Sequence, residues 1–301
     1  MHTPAQSSAQ ANVAAIAPWI FVLLWSTGFI GARFGLPYIE PFTFLFLRFL
    51  IATTLIVGIT VSLRSAWPRS RAAIGHSAVV GLLLHGGYLG GVFYAIDHGM
   101  SAGVSALIVS LQPILTAVFS QLALRERVLP RQWLGLLLGL AGVGLVVGEK
   151  LLTTASVPAI TLPTLTAALI ALCGTTAGTL YQKRFGAGSP LIGGTGVQYL
   201  AAAVLMGLGS FIFETRQIDW QPQLFFAMGW LVLVLSLGAI MLLMLLIRTS
   251  STARVASLFY LVPPATAIEA YLLFGERFGP MALIGMALAS VGVALVVIGT
   301  R

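Results

Sequence analysis

The chain has 301 residues, of which 58% are hydrophobic and 8% are charged, and its mean hydropathy is +0.99. A soluble domain carries about 25% charged residues, so this composition excludes a soluble enzyme. The net charge of +8 arises from only 16 basic and 8 acidic residues, which are too few for a nucleic-acid-binding surface. The single cysteine, Cys173, excludes a disulfide within the chain.

The apolar residues fall into segments long enough to cross a bilayer, each of which needs about 20 residues. Residues 1–13 are polar and lack the basic opening of a secretory signal peptide, so we predict a short disordered cytoplasmic segment there. Short clusters of charge, proline and glycine separate the apolar segments that follow. The predicted helices are 14–35, 41–63, 74–96, 102–124, 132–148, 163–181, 190–213, 223–247, 255–274 and 280–299.

The distribution of Lys and Arg predicts the orientation of these helices. If the N-terminus is cytoplasmic, eleven of the 16 basic residues fall in cytoplasmic loops or at the C-terminus and three fall in outer loops. Arg33 and Arg48 lie within predicted helices. The positive-inside rule therefore predicts that both termini are cytoplasmic.

An internal repeat divides the chain into halves. Shifting the chain by 150 residues aligns 101–147 with 251–297 without a gap, and 17 of these 47 positions are identical. Five helices per half is an odd number, so the second half must insert upside down. We therefore predict an all-α integral membrane protein with ten transmembrane helices in two inverted-topology five-helix repeats, at 14–148 and 163–299.

Several segments resemble the EamA-type branch of the drug/metabolite transporter superfamily. They include WSTGFIGARFGLP, the Arg48 of FLRFLIA, and the paired strings SLQPILTAVFSQLALRERVLPRQWLGLLLGLAGVGLVV and YLVPPATAIEAYLLFGERFGPMALIGMALASVGVALVV. The most specific feature is the repeated pattern of a proline, a Glu-Arg pair thirteen residues later, and a glycine-rich helix. The resemblance implies a ten-helix fold of two inverted repeats and the export of amino acids or related small metabolites across a bacterial inner membrane.

Two charged residues are predicted to lie at membrane depth. An arginine at the position of Arg48 costs about 2.5 to 3.5 kcal/mol on insertion scales, so it is expected to face a wet cavity or an acidic partner. It could bind a substrate carboxylate or form a structural ion pair. Glu269, at a similar depth, could pair with Arg48, carry a coupling proton or bind a substrate ammonium group. We expect Arg48 and Glu269 to lie close together near the outer end of a central cavity.

Polar and aromatic side chains within the helices are further candidates for the substrate cavity, although each could instead pack in the protein core. A histidine among them adds a group that can change charge near neutral pH. The candidates are Trp25, His85, Tyr88, Gln112, Gln198, Tyr199 and Tyr260.

We predict that prolines within helices and charged residues at the repeated turns have structural roles. Prolines inside helices bend them and free backbone carbonyls, which suits a gate; these are Pro113, Pro263 and Pro264. Charged residues at the repeated turns are predicted to fasten helix ends; these are Glu126, Arg127, Glu276 and Arg277.

The sequence contains no metal-protease, serine-hydrolase or nucleotide-binding motif, so we predict no enzyme activity, no metal and no cofactor. The predicted partners are a small-molecule substrate and the lipid bilayer, with a proton as a candidate coupling ion. The prediction is a secondary active exporter of amino acids that works by alternating access. The alternatives are a multidrug or toxic-compound efflux transporter and a non-transporting membrane sensor.

Overall fold

The computed structural model describes residues 4–100, 105, 108–153, 161–262, 264–265, 268–269, 272 and 279–297. These residues form ten helices, and α9 continues into a 3₁₀ turn at Phe259–Leu261. The helices are α1 Pro4–Gly35, α2 Pro41–Ser62, α3 Arg71–Asp97, α4 Gln112–Ala123, α5 Pro130–Thr153, α6 Leu162–Phe185, α7 Leu191–Phe213, α8 Pro222–Thr249, α9 Thr252–Leu258 and α10 Pro280–Val297.

The chain is an all-helical membrane protein. Among the described residues, six helices are long and apolar enough to cross a bilayer, namely α2, α3, α5, α6, α7 and α8. Shorter apolar stretches lie at Ile16–Gly28 and Pro280–Val296. Large apolar side chains such as Leu134, Leu208 and Phe225 are exposed on the outside of the bundle, as lipid-facing positions require.

The N-terminal segment differs from the prediction. Residues 1–13 were expected to be disordered, but α1 begins at Pro4 and runs without interruption to Gly35. The segment from Pro4 onward is rich in alanine and glutamine, which favour helix, and proline is well tolerated in a first turn. The polar character of this segment therefore did not prevent helix formation.

Local sequence signals set several helix starts. Pro41 and Pro222 occupy the first turns of α2 and α8, where the missing N–H would have no helical partner. The Ser70 hydroxyl accepts from the Ala73 N–H at the start of α3. Thr161 and Thr164 form a reciprocal capping box at the start of α6.

Helices at equivalent positions of the 150-residue repeat pack against each other. The most extensive helix contacts are α5 with α10 and α2 with α7. Gly135 faces Gly292 and Gly142 faces Gly285, so α5 and α10 run antiparallel. A β-carbon on Gly142 would lie 2.5 Å from the Gly285 carbonyl oxygen, so this close approach requires glycine.

Two helices contain a π-helical segment in the middle. The segment is Gly81–Gly87 in α3 and Leu231–Ala239 in α8. The first residues of the two segments are 150 positions apart, so the distortion recurs at the equivalent place in each half. Such segments are rare and are frequent at functional sites.

Candidate functional site

A cavity lies among α1, α2, α3 and α8. Its volume is about 50 Å³, which is room for a few water molecules, whereas a ligand pocket has roughly 300 to 1,000 Å³. The cavity is therefore smaller than a typical ligand pocket. Its lining residues are Trp25, Gly28, Arg48, Tyr88, Leu89, Val92, Phe93, Ile96, Leu231, Leu235 and Ile240.

Arg48 is the charged residue among those that line the cavity. Its side chain is 4% exposed, and its Nε donates a hydrogen bond to Ser236 Oγ at 3.0 Å. Its guanidinium carbon lies 5.6 Å from the ring centroid of Phe49, a cation–π distance. The two Nη groups donate to no residue that the structure describes, so they are available to an anionic group in the cavity.

Ser236 ties α8 to both Arg48 and Tyr199. Its hydroxyl donates to the Leu231 carbonyl at 3.1 Å, five residues back in the π-helical segment. Its own carbonyl accepts a hydrogen bond of 2.5 Å from the Tyr199 hydroxyl. The distorted part of α8 therefore supplies the groups that fix both side chains.

A stacked pair of aromatic rings lies beside Arg48. Phe49 and Tyr199 are fully buried, with ring centroids 5.6 Å apart and planes 19° apart. The His85 ring packs against both, at 5.8 Å from Phe49 and 4.9 Å from Tyr199. The stack therefore separates the Arg48 cavity from a second polar cluster.

The second cluster contains His85, Gln198 and Gln182. His85 Nε2 lies 3.4 Å from Gln198 Oε1, and Gln198 Nε2 donates to Gln182 Oε1 at 3.4 Å. His85 is fully buried, and its Nδ1 atom has no hydrogen-bond partner among the described residues. The three side chains therefore form a hydrogen-bonded chain from His85 through Gln198 to Gln182.

The other cavity candidates lie elsewhere. Gln112 is buried and donates to Thr116 within its own helix. Tyr260 packs its ring against Gly139 of α5. Trp25 and Tyr88 therefore line the cavity with Arg48, whereas Gln112 and Tyr260 do not.

Arg48 and Glu269 bond to different partners in the structure. Ser26 Oγ of α1 donates to Glu269 Oε1 at 2.5 Å, while Arg48 bonds to Ser236. No ion pair joins the two side chains within the part of the chain that the structure describes. Each side chain is therefore bonded to a serine hydroxyl, on α1 for Glu269 and on α8 for Arg48, and the expected proximity of the two charges stays a prediction.

The repeated turns and prolines are described in part. Glu126 accepts hydrogen bonds from the Thr252 N–H at 3.1 Å and from its hydroxyl at 2.6 Å, and it thereby connects the α4–α5 turn to the start of α9. Arg127 is exposed. The helix is interrupted at Ser110 and Leu111, and Pro113 is the second residue of α4, which follows. Pro264 is buried and helical. Pro263, Glu276 and Arg277 lie outside the described residues.

Basic side chains fasten one end of the bundle, which we call the Lys183 end. Lys183 Nζ at the end of α6 donates to the carbonyls of Ile247 and Ser250 at the end of α8. In return, Arg248 of α8 donates to the carbonyls of Gly186 and Ser189. These cations satisfy carbonyls that helix C-termini leave without partners.

Carboxylates fasten the opposite end, which we call the Glu40 end. Glu214 accepts from the Phe42 and Thr43 N–H groups at 2.6 and 2.7 Å and so caps α2. Glu40 accepts from the Thr215 and Arg216 N–H groups at 3.1 and 2.7 Å. A solvent-open depression of about 500 Å³ lies beside Glu40 and is lined also by Asp97, the last residue of α3, and by Asp219.

Sequence reasoning missed several of these groups. Ser236 is the polar residue in the apolar string LVLVLSLGAI, which is a signal that could have identified it. Lys183, Arg248, Glu40 and Glu214 entered the sequence argument only as loop charges or not at all. Their partners are backbone atoms of distant segments, which the sequence pattern does not reveal.

The family follows from comparison with known proteins. A model of the EamA-like transporter family matches residues 13–148 and 162–298. The chain belongs to the EamA-like transporter family. It is accordingly a multi-pass membrane transporter with a small-molecule substrate and is not an enzyme, as the sequence predicted.

Curated relatives match nearly the full length of the chain. The chain is 27% identical over 280 residues to an uncharacterized inner membrane transporter, YedA, of Escherichia coli K12, with coverage of 92% of this chain and 88% of YedA. It is 24% identical over 291 residues to a probable amino-acid metabolite efflux pump of Salmonella typhimurium, with 94% of each chain covered. The E. coli K12 protein of the same description is 23% identical over 293 residues, again with 94% of each covered.

A solved crystal structure shares the fold. It superposes with a TM-score of 0.76 at 22% sequence identity and covers 95% of this chain and 97% of its own. At this identity the likeness shows the fold alone.

Proposed function

We propose that this transporter exports zwitterionic amino acids with apolar or aromatic side chains by secondary active transport. The observation that carries the proposal is Arg48 in the wall of a cavity that is otherwise apolar or aromatic. A guanidinium offers two parallel N–H groups to a carboxylate. The rings of Trp25 and Tyr88 and the side chain of Leu235 would contact the substrate side chain. The descriptions of the two efflux pumps among the relatives support this substrate class.

The proposed site of action is a bacterial inner membrane, with both termini in the cytoplasm. The excess of Lys and Arg in the predicted cytoplasmic loops supports this orientation, and the description of YedA as an inner membrane transporter supports the location. In this orientation the Glu40 end of the bundle is the outer end. The Lys183 end is then the cytoplasmic end.

We further propose that repeats 14–148 and 163–299 are inverted in the membrane and that transport proceeds by alternating access. Antiparallel packing of the equivalent helices α5 and α10 supports this arrangement, since a twofold axis in the membrane plane reverses helix direction. Cysteines at the equivalent positions Val128 and Phe278, in a Cys173→Ser background, should react with impermeant reagents from opposite faces. Labelling of both from the same face would exclude inversion.

A proton is the proposed coupling ion, with Glu269 as its carrier. One carboxylate oxygen of Glu269 accepts from Ser26, and the other is buried without a partner among the described residues. Such an oxygen can bind a proton without breaking an existing bond. Glu269→Gln should therefore fold and exchange substrate, while flux should lose its response to a pH gradient. An unchanged response would exclude Glu269 as the carrier.

The deciding experiment is flux of labelled phenylalanine and leucine in proteoliposomes, with a panel of competitors. Unlabelled zwitterionic amino acids should compete, whereas amines that keep the side chain but lack the carboxylate should not. Arg48→Gln should reduce competition by amino acids, and Arg48→Lys should restore part of it because it retains the charge. Equal competition by the amines would favour the multidrug alternative. Absence of flux for the whole panel would favour a sensor.

A further inference from the structure

Equivalent positions of the two repeats carry different residues and make different contacts around the Phe49–Tyr199 stack. A shift of 150 residues relates Arg48 to Gln198 and Leu235 to His85. One pair, Arg48 of the first repeat and Leu235 of the second, lines the cavity. The other pair, Gln198 of the second repeat and His85 of the first, is in contact at 3.4 Å.

One glycine explains why the second position is closed. The shift relates Leu231, whose side chain lines the cavity, to Gly81 of α3. A β-carbon on Gly81 would lie 2.1 Å from the Gln198 carbonyl oxygen. Because Gly81 has no side chain, α3 packs directly against the backbone of α7, whereas the Leu231 side chain occupies the equivalent place in the wall of the cavity.

We propose that His85 and Gln198 form a second binding half-site for the amino-acid substrate, which opens when α3 moves away from α7. The half-site is the counterpart of the Arg48 cavity on the other side of the Phe49–Tyr199 stack. It faces the Lys183 end of the bundle because Gln198 lies seven residues after the start of α7, as Arg48 lies seven residues after the start of α2. The proposal rests on the proposed function for the identity of the substrate.

The chemistry of the two side chains suits a zwitterion. With its Nε2–H donating to Gln198 Oε1, His85 presents Nδ1 as an acceptor, and this buried atom has no partner among the described residues. Buried polar atoms are rarely left unpaired, so the closed arrangement does not satisfy His85 fully. A substrate ammonium group can donate to Nδ1, and the Gln198 amide can donate to the carboxylate in place of its bond to Gln182.

The half-sites lie towards opposite ends of the bundle, which predicts an effect that depends on the face of the membrane. Transport is measured with labelled phenylalanine presented to each face, in everted and in right-side-out vesicles. Loss of a hydrogen bond to a charged group weakens binding by about tenfold or more. His85→Leu, which copies the residue at the equivalent position, should therefore raise KM by about tenfold at the Lys183 end. At the Glu40 end KM should change less than about twofold, and Arg48→Gln should show the reverse pattern.

The Gln198→Leu variant should match His85→Leu, since both remove neutral hydrogen-bonding groups from the same half-site. Equal changes of KM at both faces, or no change at either, would overturn the half-site. If the wild-type protein transports no amino acid from either face, the proposed function fails instead.

A second experiment tests whether α3 moves away from α7 when no substrate is present. Ser77 is buried on α3, one helical turn before Gly81, and Ser77→Cys in a Cys173→Ser background provides a reporter. Gly81→Ala should hold α3 away from α7 and raise labelling of this cysteine from the Lys183 end several-fold. Gly75→Ala is the matched control on the same helix, because no atom lies within 4 Å of its added carbon.

If Gly81→Ala does not fold, the comparison of His85→Leu and Gln198→Leu at the two faces of the membrane decides the proposal. Labelling that is equal to the control in the folded variant would exclude an opening between α3 and α7. The half-site would then be excluded whatever the substrate is.

Discussion

Phe49 and Tyr199 occupy equivalent positions of the two repeats and stack directly on each other, with ring centroids 5.6 Å apart. Each half of the chain thus contributes one ring to the same contact. Under the proposed inversion, the approximate twofold axis between the halves would pass through this contact. Only Tyr199 carries a hydroxyl, and its bond to the Ser236 carbonyl makes the contact asymmetric.

Removing that hydroxyl should destabilise the protein while the stack remains. Tyr199→Phe leaves the buried Ser236 carbonyl without this donor, for which we expect a loss of about 1 to 3 kcal/mol in the free energy of unfolding. Thermal unfolding of purified protein in detergent measures it. Tyr181→Phe is the control, because its hydroxyl bonds to His76 at a partly buried position and should matter less. A similar loss in both variants would contradict the prediction.

The crossing of α5 and α10 should not tolerate a methyl group at its closest point. In Gly142→Ala the new carbon would lie 2.5 Å from the Ala289 nitrogen and the Gly285 oxygen, both backbone atoms. We expect a loss of about 1 to 3 kcal/mol in the free energy of unfolding. Gly144→Ala, two residues away, meets no atom within 4 Å and should stabilise the helix by about 0.5 to 1 kcal/mol. The two variants should therefore shift the unfolding temperature in opposite directions.

The reciprocal hydrogen bonds of Lys183 and Arg248 with backbone carbonyls should hold the Lys183 end closed. Lys183→Gln removes donors to two carbonyls at the end of α8, and a cation at such a position contributes about 0.3 to 2 kcal/mol. We expect faster labelling from this end of a cysteine placed at Ser77. Arg184→Gln should have a smaller effect, since Arg184 is exposed and donates at 3.3 Å to one carbonyl of α4. Equal labelling in all three proteins would show that this contact is not a gate.

Glu40 should make stability depend on pH in the acidic range. Burial raises the pKa of Glu40, but hydrogen bonds from Thr215 and Arg216 outweigh it, and the net pKa is lowered from its ordinary value of 4.5. A lowered folded pKa means that the stabilisation is fully present above pH 4.5 and is lost as pH falls through the folded pKa. The difference in unfolding temperature between wild type and Glu40→Gln should therefore shrink on acidification. A difference that is constant with pH would contradict this. Thr215→Val, which removes one donor, should weaken the pH dependence.

The sequence predicts the architecture well because the repeat and the apolar segment lengths are global signals. The starts of α2 and α8 could be predicted from their prolines. The number of helices could be predicted from the lengths of the apolar segments. The predicted start of α1 at residue 14 was wrong, because the polar residues before it were expected to prevent a helix. The alanine-rich segment has a high helix propensity despite its polarity. The extension of α5 to Thr153 was also missed, since charge at Glu149 and Lys150 suggested a loop.

The site was less predictable, because the hydrogen-bond partner of each side chain depends on how the neighbouring helix is rotated about its axis. Arg48 could be identified as costly at membrane depth, but its partner Ser236 depends on which face of α8 turns inward. The π-helical segments change that face, and the apolar composition of 231–239 contains no signal for them. Glu269 was assigned to Arg48 on depth alone, and Ser26 on α1 proved to be its partner.

The π-helical segments of α3 and α8 also define how these helices can move. A π turn accommodates one more residue per hydrogen-bonded ring than an α turn, so each segment stores one surplus residue within a continuous helix. Passing that surplus along the helix by a few positions rotates the intervening side chains by about 100° each, without sliding the helix through the bilayer. Tyr88 and Ile240, which directly follow the two segments, lie where such a rotation would turn their side chains away from the cavity wall. Rotation of the middle of a helix can thus replace one set of cavity-lining side chains with another, while both helix ends stay fixed.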